Sequence, residues 1–109
     1  MATQSESRGG LLIEGIAADW SFIVSKPPFW SDLPRIASIQ FDPGAAADKL
    51  VVKDGSDTGA VRCSFGPVDG AGDQRIKYFF GARFSPYIDF SDCTLSAGHR
   101  LIIELWSEA

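Results

Sequence analysis

The chain has 109 residues, a formal net charge of −4, 45% hydrophobic and 22% charged residues. That length supports one core and not two, and the composition excludes wholesale disorder. The ten Lys and Arg residues are scattered along the chain, so the basic stripe that a phosphate backbone calls for is missing and nucleic-acid binding is not expected.

No apolar run approaches the roughly 20 residues that cross a bilayer. Met1 to Gly10 has neither the basic start nor the apolar stretch of a secretory signal. Only two cysteines occur, Cys63 and Cys93, and the absence of Asn removes any glycosylation acceptor. These features predict a chain made in a reducing cytoplasm, without signal peptide or membrane segment.

Small polar residues and the Gly9-Gly10 pair set residues 1–10 apart as a flexible arm, either frayed or ordered against a neighbouring subunit, before a domain at 11–109. Leu11 to Ile16 reads as a first strand. Alternation of Trp20, Phe22 and Val24 with Ser21 and Ser25 reads as a second. Lys26 to Pro34 holds three prolines and cannot form a regular ladder, yet it carries Phe29, Trp30 and Leu33. Apolar side chains on such a loop either fold back onto the core or meet a partner.

Arg35 to Phe41 predicts a strand with Ala37, Ile39 and Phe41 on one face. Leu50 to Val52 is a short strand, and Ala60 to Phe65 places Val61, Cys63 and Phe65 on one side. From Arg75 to Trp106 the strand signal is densest. Ile76, Tyr78 and Phe80 alternate, then Ile88 and Phe90, then Leu101, Ile103 and Leu105. Phe79 and Phe84 fall out of phase with these neighbours, so the run is apolar on both faces around Gly81 and calls for cover on both. About eight short strands at sandwich-like spacing, with no room for crossover helices, predict an all-β fold. The expected architecture is a single-domain antiparallel β-sandwich, jelly-roll or Ig-like.

Catalytic chemistry finds little support. His99 is the sole histidine and lies in Ala97-Gly98-His99-Arg100, where an exposed turn residue is expected. Two cysteines thirty positions apart and one histidine are too few for a structural zinc site, so both cysteines read as small buried residues. The acidic turns Asp54 to Asp57 and Asp69 to Asp73 lack the ligand spacing of a calcium loop and read as turn chemistry. Asp89, Glu14 and Glu104 are the carboxylates with apolar neighbours, and each reads as the polar face of a strand. No catalytic residue, cofactor or metal site is expected.

The order of three segments carries a resemblance. These are Arg35-Ile36-Ala37-Ser38-Ile39-Gln40-Phe41, then Asp48-Lys49-Leu50-Val51-Val52-Lys53-Asp54, then Pro86-Tyr87-Ile88-Asp89 followed by Leu101-Ile102-Ile103-Glu104-Leu105. The order resembles that of small all-β structural proteins of tailed-phage particles, which include capsid decoration or cement proteins and tail or adaptor components. The loop Pro27-Pro28-Phe29-Trp30 has no counterpart in that pattern. The resemblance implies a non-enzymatic virion protein that forms homo-oligomers, a trimer among them, on a capsid or tail. A carbohydrate-binding sandwich is the alternative, with Trp20, Trp30, Tyr78 and Tyr87 as available aromatics. The interface residues expected are Phe29, Trp30, Leu33, Phe79 and Phe84.

Overall fold

The computed structural model describes residues 3–7 as backbone, and residues 10–26, 30–45, 47–66 and 76–106 in full. The strands are β1 (Thr3–Ser7), β2 (Gly10–Glu14), β3 (Trp20–Ser21), β4 (Arg35–Asp42), β5 (Leu50–Asp54), β6 (Val61–Phe65), β7 (Ile76–Arg83), β8 (Pro86–Ile88) and β9 (Arg100–Leu105). They form a five-stranded sheet, ordered β1-β2-β9-β4-β7, and a four-stranded sheet, ordered β3-β8-β5-β6. All pairings are antiparallel. The expected β-sandwich is therefore the fold. Only β1–β2 and β5–β6 are neighbours in both sequence and sheet, and every other connection crosses from one sheet to the other.

The core lies between the sheets. Leu11, Ile13, Ile36, Ile39, Phe41, Leu101 and Ile103 come from the larger sheet, and Leu50, Val52, Cys63, Phe65 and Ile88 from the smaller. Phe41 and Phe65 meet across the gap with ring centroids 6.0 Å apart. The expected alternation of Leu101, Ile103 and Leu105 holds, with the first two buried and the third half-buried.

Where period-two alternation misleads, a bulge is the usual reason. On β4, Ile36 pairs with Leu105 while Ser38 pairs with Glu104, so Ala37 is an extra residue. This brings Ile36, rather than Ala37, onto the inner face with Ile39 and Phe41. On β6, Val52 pairs with Cys63 but Lys53 with Val61. The extra residue Arg62 turns Val61 outward, where it is 58% exposed instead of sharing the face of Cys63 and Phe65.

The predicted second strand is cut short. Only Trp20 and Ser21 pair, with Ile88 and Tyr87, and the next position on β8 is Pro86, which has no N–H to give the ladder. Phe22–Ser25 turns into one helical turn, closed by Lys26 N–H donating to Phe22 O at 2.8 Å. That turn buries Phe22 completely and leaves Val24 84% exposed.

Part of the expected arm takes a place in the larger sheet. Thr3–Ser7 pairs along its whole length with β2, from Thr3 opposite Glu14 to Ser7 opposite Gly10. A polar sequence can form an edge strand because the ladder uses backbone groups alone.

Candidate interaction surface

Two opposed extra-residue sites shape the edge of the larger sheet. Ile36 pairs with Ala82 and Ser38 with Tyr78, so Phe79, Phe80 and Gly81 all stand opposite Ala37 alone. The chain absorbs the excess in a left-handed kink, with φ of 52° at Phe80 and 86° at Gly81. Gly81 suits this backbone, and a side chain there would be tight against a neighbour. A Cβ there would sit 3.1 Å from the Trp106 ring. Phe80 has no such excuse, since a bulky L-residue at positive φ is strained.

The kink decides which aromatics face where. Lys77 lies opposite buried Ile39 and so shares the inner face, although at the sheet edge it stays exposed. Phe79 packs against the core and meets Phe84 at 4.8 Å. Tyr78 and Phe80 instead stand 57% and 77% exposed, their rings 6.2 Å apart and 31° from parallel. Trp106, 42% exposed, continues β9 by donating its N–H to Arg35 O at 2.9 Å, and its indole lies over Gly81. The outer face thus carries three neighbouring aromatics. Ile76, Gln40, Ile102 and Leu12 form a half-buried row beside them, linked by their cross-strand pairings.

The expected interface residues separate. Phe29 lies outside the described residues. Trp30 is half-buried and packs on Phe22 with ring centroids 6.2 Å apart. Its loop is pinned to the β7–β8 turn: Arg83 donates to Leu33 O, Phe84 N–H to Pro34 O, and Ser85 Oγ to Asp32 O. The described part of the loop therefore folds back, leaving Leu33 49% exposed. Phe84 is fully buried and cannot touch a partner, which corrects its placement at an interface. It stands beyond the end of β7, inside the sandwich, with the Arg62 guanidinium 4.7 Å from its ring centre. Phe80 and Trp106 were missed as surface residues, and Tyr78 was named only among the aromatics of the carbohydrate-binding alternative. The alternation of Ile76, Tyr78 and Phe80 was visible, but alternation alone does not say which face is inside.

The titratable groups join loops. His99 is 5% exposed, which corrects the expected exposed turn residue. Its Nδ1 lies 2.8 Å from Ser96 O and carries the proton, while Nε2 accepts the Ile16 N–H at 2.9 Å. Asp48 is fully buried and accepts from Gly44 N, Ala45 N, Ser96 N and Ser96 Oγ. Burial pushes its pKa up, but these bonds together outweigh burial and hold it below the ordinary carboxylate value. Lys53 bridges Asp89 at 3.1 Å and Asp92 at 2.7 Å and also donates to Asp57 O. The bond that Lys53 donates to Asp92, then that to Asp89, raises its pKa.

In the Asp54–Asp57 turn, Asp54 Oδ1 accepts from Ser85 N. Asp69 to Asp73 lies outside the described residues. Both cysteines are free thiols, and burial pushes Cys63 up to about 12. Among the described residues, no group of three or more His, Cys, Asp or Glu side chains is placed to hold a metal, and no helix is long and apolar enough to cross a membrane.

No protein-family model matches the chain, and comparison with curated proteins and with solved structures likewise finds no match.

Proposed function

We propose that this chain is a non-enzymatic structural protein of a virus particle. In this reading it is a capsid decoration protein that self-associates on a larger assembly and docks through the outer face around Phe80. The observation that carries the reading is Phe80 itself. A left-handed backbone costs an L-residue about 1–2 kcal/mol, yet here it presents a ring that is 77% exposed. Such strain does little for an isolated domain, and it becomes useful when a partner covers the ring. Tyr78 and Trp106 extend the same patch, and aromatic residues are the usual energetic anchors of interfaces.

Two further points support it. The segment order from Arg35 to Leu105 resembles that of tailed-phage structural proteins. The buried His99 and Asp48, and the Lys53 ion pairs, are engaged in holding loops together. Light scattering tests the self-association. The wild-type chain should form an oligomer, with a trimer favouring capsid decoration, and Tyr78→Ser/Phe80→Asn should be monomeric with its fold intact. A wild-type monomer at all concentrations would remove self-association and leave a tail or adaptor role. An oligomer unchanged by the double substitution would place the contact elsewhere.

A further inference from the structure

Each sheet has two edges, and three of the four carry a feature that blocks a further strand. β7 is kinked at Phe80 and Gly81 and places Lys77 on its inner face. β6 is bulged at Arg62, and β3 is only two residues long. β1 has none of these. Thr3–Ser7 is extended over five residues, contains neither Pro nor Lys, and pairs with β2 without a register shift. It ends the sheet order, and among the described residues no strand pairs with its other side. Alternate N–H and C=O groups of an antiparallel edge point away from the neighbouring strand, so β1 is a regular template for one more strand.

The residues of β1 indicate which strand that is. Thr3-Gln4-Ser5-Glu6-Ser7 is nearly a palindrome about Ser5. A second β1 laid antiparallel, with Ser5 opposite Ser5, sets Thr3 against Ser7 and Gln4 against Glu6 on both sides of that centre. Every residue of the strand then has a partner, and no two like charges meet. A slip of about two residues is the smallest that keeps matching faces together. It strips pairs from both ends of the ladder, and in one direction it sets Glu6 against Glu6.

We propose that β1 is a docking edge for a second copy of this chain: two β1 strands pair antiparallel about a two-fold axis at Ser5 and join their larger sheets into one. β1 and β7 are opposite ends of that sheet, so this contact is separate from the face around Phe80 and does not rest on it. Five polar residues remove little apolar surface from water, so the pairing alone is weak. It forms where copies are crowded, at millimolar concentration or side by side on an assembly.

Disulfide trapping reads the register directly. Opposed residues of an antiparallel pair have Cα atoms about 4.5–5.5 Å apart, within disulfide reach, whereas Thr3 and its own copy would stand about 13 Å apart. The full-length Tyr78→Ser/Phe80→Asn chain serves as background, so that contact through the outer face adds nothing, and its two native thiols set the baseline. With Ser5→Cys added, mild oxidation at millimolar concentration should give a covalent dimer at least about tenfold faster than Thr3→Cys or Ser7→Cys alone, while an equimolar mixture of those two should cross-link to each other. Adding Gln4→Glu to Ser5→Cys should slow trapping and Gln4→Lys should speed it, because Glu6 of the other copy stands opposite. Trapping of Ser5→Cys no faster than that of Thr3→Cys, or indifferent to both Gln4 substitutions, overturns the proposal. If the cysteine variants do not keep β1 in place, hydrogen exchange of the wild-type chain decides. Alternate β1 amides should gain protection between micromolar and millimolar concentration, and unchanged protection along the whole strand overturns the proposal.

Discussion

Replacing Phe80 with Asn separates strain from packing. Asn tolerates the left-handed region that Phe80 occupies at φ 52°, so the substitution removes most of a penalty of about 1–2 kcal/mol. Against this stands the loss of hidden ring surface. A fully enclosed aromatic buries about 150–250 Å². At 77% exposure, Phe80 hides roughly 50 Å², worth about 1 kcal/mol at ~25 cal/mol per Å². The two effects nearly cancel, and Phe80→Asn should unfold in urea within about 1 kcal/mol of wild type. Phe84→Ala is the internal contrast. That ring is fully buried against Phe79, and its loss should cost about 3–5 kcal/mol. The same equilibrium unfolding curve, followed by tryptophan fluorescence, reads both. A loss above about 3 kcal/mol for Phe80→Asn would show that the ring supports the domain rather than a partner.

Three further outcomes follow from the buried polar groups. His99→Ala removes the acceptor of the Ile16 N–H and should destabilise by about 2–3 kcal/mol, with partial recovery in His99→Gln; a neutral His99→Ala would refute the staple. Asp48→Asn breaks bonds to the Gly44–Ala45 and Ser96 segments. Because the folded pKa of Asp48 is lowered, its charged-state contribution is full above the ordinary carboxylate value of about 4 and is lost as pH falls through the lower folded value. The stability gap between wild type and Asp48→Asn should therefore narrow in acid, and a gap that widens below that range would contradict the assignment. Burial holds the Cys63 thiol near 12, so it should resist a disulfide reagent at about pH 8 until denaturant is added; labelling at the rate of free cysteine would show that the β5–β6 side of the core is open.

Much of the fold was legible because alternation and turn residues are local signals. Leu101, Ile103, Cys63 and Phe65 sit where alternation put them. What alternation could not carry was phase across an extra residue. Ala37 and Arg62 look ordinary in sequence, yet each shifts a register by one and reverses the neighbours before it. Nor could it say which side of β7 is inner. The out-of-phase Phe79 marked a two-sided apolar run, and the choice between sides is made in three dimensions, where Phe79 joins Phe84 inside. His99 was misplaced for a related reason. Its turn is indeed a turn, but Ile16, eighty-three positions earlier, covers it through a hydrogen bond. The cleft lined by Trp30, Arg35, Arg83 and Trp106 was not legible at all, because those residues converge only through pairings between distant segments.

In the proposed role, the outer face around Phe80 fastens this chain to a virus particle. If the proposal holds, the genome that encodes this chain also encodes a tailed particle, and the test is quantitative mass spectrometry of those purified particles, with wild type and Tyr78→Ser/Phe80→Asn compared at equal expression. Wild-type chain should be present at a fixed copy number per particle, and the variant, folded and soluble, should be largely lost from particles. Absence of the wild-type chain, or equal retention of the variant, would contradict it.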